Sequence, residues 1–258
     1  IVAQKKIPAT GHKYYEWTTT KENTCTEEGI TQRKCRICSF TESKKLDKKA
    51  HEWDTDFTVD KKATFQADGS KSKHCKNCDA VYGSIVIPRV NEMKLSAVTY
   101  SYTGGVKTPS VTVKDAKGKT LKNNVDYTIK YASGRKNVGT YSVIMTLKGN
   151  YSTSKTMKFI INPKGTSISK LSKAKKSFTV KWKKQNTQTT GYRLIYSMNS
   201  KFKTGNKYVM ITSNKTTSKS IKKLKAKKKY YIRICTYKTV GGTKYYSGWS
   251  SVKSVTTK

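Results

Sequence analysis

From Asn91 onward, apolar side chains fall on alternate positions, the period of a strand with one buried face. Val98, Tyr100 and Tyr102 share a face, followed by Val111 and Val113, then Tyr127, Ile129 and Tyr131, then Tyr141, Val143, Met145 and Leu147, and finally Met157, Phe159 and Ile161. Turn formers separate these runs at Gly104-Gly105, Asp115-Ala116-Lys117-Gly118, Asn123-Asn124, Ser133-Gly134 and Gly149-Asn150, the spacing of a seven-strand antiparallel sandwich. After Asn162-Pro163-Lys164-Gly165 the alternation resumes, with Phe178, Val180 and Trp182 inward, then Tyr192, Leu194 and Tyr196, then Ile221 and Leu224, then Tyr230, Ile232 and Ile234. Leu224 six residues ahead of Tyr230 marks the entry to a second-last strand, where the tyrosine hydroxyl bonds back to the upstream backbone. The linker is short, so this second sandwich is expected to stack end to end on the first.

Residues 1–90 carry a different pattern, an internal repeat of about forty residues. Thr24-Cys25-Thr26-Glu27-Glu28-Gly29 falls on Thr64-Phe65-Gln66-Ala67-Asp68-Gly69, and Cys35-Arg36-Ile37-Cys38 falls on Cys75-Lys76-Asn77-Cys78. Gly11-His12 with Trp17 loosely matches Ala50-His51 with Trp53, and Ile7-Pro8-Ala9-Thr10 reads as the tail of one copy entering the next, echoed by Ile85-Val86-Ile87-Pro88. Each copy reads as short strands around Asp-Gly or Glu-Gly turns, too small to bury a core, and so needs a partner copy or a staple. The expected fold is all-β. A small cysteine-stapled two-repeat module over residues 1–90 precedes two antiparallel sandwiches in tandem, residues 91–163 and 164–258.

The two Cys-x-x-Cys pairs are the candidate staple. Cys35, Cys38, Cys75 and Cys78 together supply the four thiolates of a closed tetrahedral zinc site, provided that the two repeats face each other. His12, His51 or His74 can replace a thiolate, and His51, between the pairs, is the best placed. Oxidation is the equal alternative, because disulfides persist in an exported protein and spacing alone does not fix connectivity. Cys25 reads as an unpaired position, since Phe65 replaces it in the second copy. Cys235 has no histidine in its own domain to activate it and, by parity with Ile234, points outward as an inert surface thiol.

Charge changes the picture at the C-terminal end. The net charge is +39, and residues 164–258 carry 25 Lys and Arg against no acid, the last acid being Asp126. That excludes carboxylate-based metal sites and paired-acid catalysis from the last domain. Lys222, Lys223, Lys225, Lys227, Lys228 and Lys229 crowd the corner before Tyr230 and suit a phosphate, sulfate or carboxylate polymer bound with steep salt dependence. The plainer alternative is a solvated loop that keeps a sheet edge soluble. No nucleic-acid fold signature accompanies the lysines, and no apolar run is long enough for a spanning helix. The chain opens at Ile1 without a leader, so any signal peptide is expected to have been removed from a longer, exported protein.

Residues 166–258 resemble a fibronectin type III domain, through Val180-Lys181-Trp182, Gly191-Tyr192, Leu224 with Tyr230, and Ser247-Gly248-Trp249-Ser250. Residues 91–162 resemble the immunoglobulin-like repeats of bacterial surface proteins, through Tyr102-Thr103-Gly104, Pro109-Ser110-Val111, Asp126-Tyr127, Asn137-Val138-Gly139-Thr140 and Gly149-Asn150-Tyr151. Residues 9–88 resemble the His-Cys repeats found beside such domains. This order of modules is similar to cell-surface and cell-wall-associated proteins of Gram-positive bacteria. The resemblance implies display, spacing and adhesion, with no active site to carry over, and the region is expected to be a non-enzymatic monomer whose lysine corner meets an anionic wall polymer or host glycan. Its alternative is an accessory region of a cell-wall enzyme, such as a peptidoglycan hydrolase or peptidase, whose catalytic domain lies elsewhere.

Overall fold

The forty-residue period becomes two copies of one three-stranded meander. The computed structural model describes residues 11–258, so Ile7–Thr10, the expected repeat tail, lie outside the described residues. In the first copy β1 (Thr18–Lys21), β2 (Gly29–Lys34) and β3 (Thr41–Leu46) pair antiparallel in chain order, and in the second β4 (Thr58–Lys61), β5 (Gly69–His74) and β6 (Val81–Ile87) do the same. The irregularity in the first pairing repeats, with a bulge between Thr19 and Lys21 and another between Val59 and Lys61, while only the second copy has a further shift between Lys71 and Lys73. Gly29 and Gly69 explain why glycine stands at the head of each central strand. A Cβ would sit 2.6 Å from the Lys21 carbonyl oxygen in one copy and 2.3 Å from that of Lys61 in the other.

These meanders have almost no greasy interior. In residues 11–89 the buried apolar side chains are Cys25, Cys35, Ala63, Cys75 and Ile87, so sulfur supplies most of what is inside. A structure of this size without a core depends on something other than hydrophobic burial.

The described chain divides after Arg89 into a second compact unit beginning at Val90. Its first part contains β7 (Val90–Leu95), β8 (Thr99–Ser101), β9 (Val111–Asp115), β10 (Tyr127–Tyr131), β11 (Gly139–Leu147) and β12 (Ser154–Asn162). One sheet runs β10-β11-β12-β8 and the other pairs β7 with β9. Leu95 meets Val143, Phe159 and Ile161 between them, flanked by Tyr100, Tyr102 and Val111. Two details depart from the expected seven antiparallel strands. This part has six strands, and β8 runs parallel to β12, pairing Tyr100 with Ile161. Val98 precedes that short strand and is 61% exposed, so it does not join Tyr100 and Tyr102 inside.

The remaining strands are β13 (Ile168–Ala174), β14 (Ser177–Trp182), β15 (Gly191–Ser197), β16 (Lys207–Ile211), β17 (Ser218–Ile221), β18 (Lys229–Val240), β19 (Thr243–Tyr246) and β20 (Lys253–Thr256). Sheet β13-β14-β17 faces sheet β16-β15-β18-β19, to which β20 adds by pairing with β18. Phe178, Val180, Trp182, Tyr192, Leu194, Ile221, Tyr230, Ile232 and Ile234 form the interior between the sheets, and Tyr196 and Leu224 pack against its rim. The alternation read from the sequence therefore places this core correctly. Hydrogen bonds link the two sandwiches of this unit, from Val138 N to Gln188 Oε1 at 3.2 Å and between Thr140 Oγ1 and Tyr245 Oη at 3.1 Å.

Candidate functional site

Each meander turns its Cys-x-x-Cys pair towards the histidine that opens the same copy. Isolated bridges from Tyr14 to Cys35 and from Trp53 to Cys75 lay the histidine segments against the cysteine loops. They also show that Tyr14, and not Trp17, is the counterpart of Trp53. His12 Nδ1 then lies 3.4 Å from Cys38 Sγ, and His51 Nδ1 lies 3.4 Å from Cys78 Sγ. His12 stacks on Phe40 and His51 leans on Trp53, which fixes both ring planes.

The four thiols of the two pairs do not converge on one point. Two separate clusters form instead, one of His12, Cys35 and Cys38, the other of Cys25, His51, Cys75 and Cys78, with the ligand atoms in each within 4.8 Å of one another. Cys25 belongs to the first repeat in sequence and to the second repeat's cluster in space, its Sγ lying 3.9 Å from that of Cys75. The sequence reading thus placed Cys75, Cys78 and His51 together but missed Cys25. The signal was present in the asymmetry between Cys25 and Phe65. His74, the third candidate, turns away to Asp60, at 2.6 Å from its carboxylate.

Backbone amides set the charge of the first thiol in each pair. The Asn77 amide donates to Cys75 Sγ at 3.5 Å and, with His51, holds that thiol down at about 6. The Ile37 amide, with His12, does the same for Cys35, also to about 6. Cys25 is driven the other way, to about 11, by its hydrogen bond with Cys78 and by burial. A bound dication would favour the thiolate at every sulfur that ligates it. All six cysteines stand unbridged.

The basic corner between β17 and β18 is built as the sequence predicts. Lys225 N donates to Tyr230 Oη at 3.2 Å, pinning the loop to the sandwich. Lys223 and Lys227 turn the chain through left-handed conformations, with φ of 58° and 53°. Lys222, Lys223, Lys225, Lys227, Lys228 and Lys229 are all exposed. Lys222, Lys223 and Lys225 border, together with Lys207 and Tyr196, an open cleft of about 610 Å³. Lys227, Lys228 and Lys229 are not among its lining residues.

Cys235 corrects the sequence reading. It does face away from the core, yet it is only 2% exposed. The outer face of sheet β16-β15-β18-β19 is roofed by an arginine and aromatic ladder. Trp249 has the Arg233 guanidinium 4.9 Å and that of Arg193 5.8 Å from its ring, while Arg193 also lies over Tyr208 and Arg233 over Phe202. Cys235, paired across the strands with Arg193 and two positions from Arg233, lies among these residues. Burial pushes its thiol up to about 11. It is an inert thiol, but an interior one.

Comparison with known proteins reaches only part of the chain. None of the curated proteins matches it. Among solved structures, the chicken CNTN1 FN1–FN3 domains share 11% identity at a TM-score of 0.33, covering 90% of this chain and 78% of that one. A two-domain fibronectin type III segment of chicken tenascin shares 15% identity at a TM-score of 0.33, covering 80% of this chain and 100% of that one. Residues 162–253 match the family model of the fibronectin type III domain, and the C-terminal sandwich is a domain of that type.

Proposed function

We propose that the chain is a non-catalytic structural and adhesive region of a secreted or cell-wall-associated bacterial surface protein, and that its terminal domain holds anionic polymers. The observation that carries this reading is the exposed six-lysine corner on a domain without a single carboxylate. No acid within the domain competes for those ammonium groups, so a polyanion meets an uncompensated field. Lysine, a compact point charge, fits diffuse attraction to a repeating phosphate, sulfate or carboxylate better than recognition of one fixed geometry. The absence of catalysis is supported by the same composition. Residues 164–258 contain no histidine, aspartate or glutamate to act as a base, and Cys235 is shut in with its proton on. The other β modules then act as spacers for the basic fibronectin type III domain.

The test is retention of the full chain on immobilised teichoic acid or heparin across a salt gradient. A variant with Lys222, Lys223, Lys225 and Lys227 changed to Gln is expected to elute at much lower salt than one with Lys170, Lys173, Lys175 and Lys181 changed to Gln. Equal loss in both variants makes the attraction a property of net charge alone and overturns the corner as the binding surface.

A further inference from the structure

We propose that Cys25, His51, Cys75 and Cys78 form a tetrahedral zinc site built across the joint between consecutive repeats, in which each copy lends one thiolate to the site of the copy that follows. The inference is independent of the adhesive reading, since it concerns how the first unit holds together and not what the last domain touches.

The donor geometry is that of a tetrahedral zinc site. Two thiolates on a tetrahedral zinc, each about 2.3 Å from the metal, stand about 3.8 Å apart, and a thiolate and an imidazole nitrogen stand about 3.5 Å apart. Cys25 Sγ to Cys75 Sγ is 3.9 Å and Cys78 Sγ to His51 Nδ1 is 3.4 Å, and all four donors lie within 4.8 Å of one another. Three sulfurs and one imidazole are the donor set that zinc takes in closed structural sites, and harder cations disfavour it. The Asn77 amide already points at Cys75 Sγ, as an outer-shell donor to a thiolate does.

The first repeat carries the same arrangement, one ligand short. His12, Cys35 and Cys38 correspond to His51, Cys75 and Cys78, and the Ile37 amide donates to Cys35 Sγ as that of Asn77 does to Cys75. What this cluster lacks is the equivalent of Cys25. Residues 1–10 contain no Cys, His, Asp or Glu, so its fourth ligand is a thiolate of another copy of the repeat or a water. At the other end, Cys25 has Phe65 as its counterpart forty residues on, a side chain with no donor atom. The relay therefore has a direction. Within these residues it passes through Cys25 to the His51 cluster and stops at Phe65, before the composition changes at Asn91.

The reduced full chain is titrated with Zn²⁺, and with Co²⁺ as an optical reporter, while native mass spectrometry counts the ions bound. The expected result is one tightly held ion whose Co²⁺ spectrum shows three sulfur ligands, and a second, weaker ion with two. Cys25→Ser should weaken the tight site by more than the roughly 10- to 100-fold that loss of an outer-shell partner brings, and Cys25→His should restore it. Cys38→Ser should abolish only the weaker ion. Should Cys25→Ser fail to fold, the wild-type spectrum still decides, because two sulfurs at both ions overturns the proposal. So does an unchanged affinity in Cys25→Ser, a reduced chain that takes no ion, or a Cys75–Cys78 disulfide in the exported protein.

Discussion

Cys25 and Cys75 stand fifty positions apart in sequence and bring their sulfurs to 3.9 Å, joining two meanders that otherwise bury little besides cysteine, Ala63 and Ile87. Stability in this unit is thus expected to be metal stability. Stripping the ion with a chelator should unfold β1 to β6 while leaving β13 to β20 intact, because structural zinc supplies on the order of 10 kcal/mol in small domains. Hydrogen exchange with and without chelator measures this directly. Protection that persists in β2 and β5 after the metal is gone contradicts it.

Gly29 and Gly69 bear on the same unit without touching sulfur. A methyl at Gly69 would lie 2.3 Å from the Lys61 carbonyl oxygen and 2.5 Å from Ala63 N, both backbone atoms that can move only by breaking the bulge. Gly69→Ala should cost about 3 kcal/mol or more, as severe overpacking does. Gly105→Ala, whose nearest neighbour is 3.7 Å away, should stay within about 0.5 kcal/mol. Thermal melts of both variants make the comparison.

The Tyr230 corner offers a single hydrogen bond to remove. Tyr230→Phe keeps the buried ring and loses the acceptor for Lys225 N, so stability should fall by about 1 kcal/mol, read as a lower denaturant midpoint with an unchanged slope. A fall that large combined with weaker polyanion retention would show that the corner also shapes the lysine surface.

Trp249 lies over Arg193 and Arg233, the outward-facing neighbours of Cys235. Trp249→Ala removes two guanidinium contacts, at 4.9 and 5.8 Å, and opens the outer sheet face. The cost is expected near 2 kcal/mol, from the lost cation–π pairs and apolar cover. More telling is the thiol. In the intact domain burial pushes Cys235 up to about 11, so at pH 8 it is protonated and shielded, and labelling should be slow. Once uncovered, its pKa falls towards the ordinary cysteine range and labelling should accelerate more than tenfold.

Much of this fold is legible in the chain, and where legibility stops has a physical cause. Phe178, Val180 and Trp182, or Ile232 and Ile234, announce themselves because a strand with one buried face alternates, and that face is the core. The second buried layer is hidden by the same rule. Arg193, Arg233 and Cys235 occupy outward positions, and nothing local says that Trp249, from a segment between two other strands, will cover them. Cys25 is hidden differently. Self-alignment pairs it with Phe65 and so makes it look dispensable, whereas its partners lie in the neighbouring copy, and spacing along one chain does not say which copy a side chain serves.

Shared custody of the ligands has a consequence for how such an array lengthens. Inserting further periods of the first kind hands each following histidine and cysteine pair a thiolate from its predecessor, so valence is conserved at each interior joint. A cut at any other length orphans a donor on one side and an acceptor on the other. Growth of the array is thereby quantised in units of about forty residues, and the side chain at position 65 sets where counting ends.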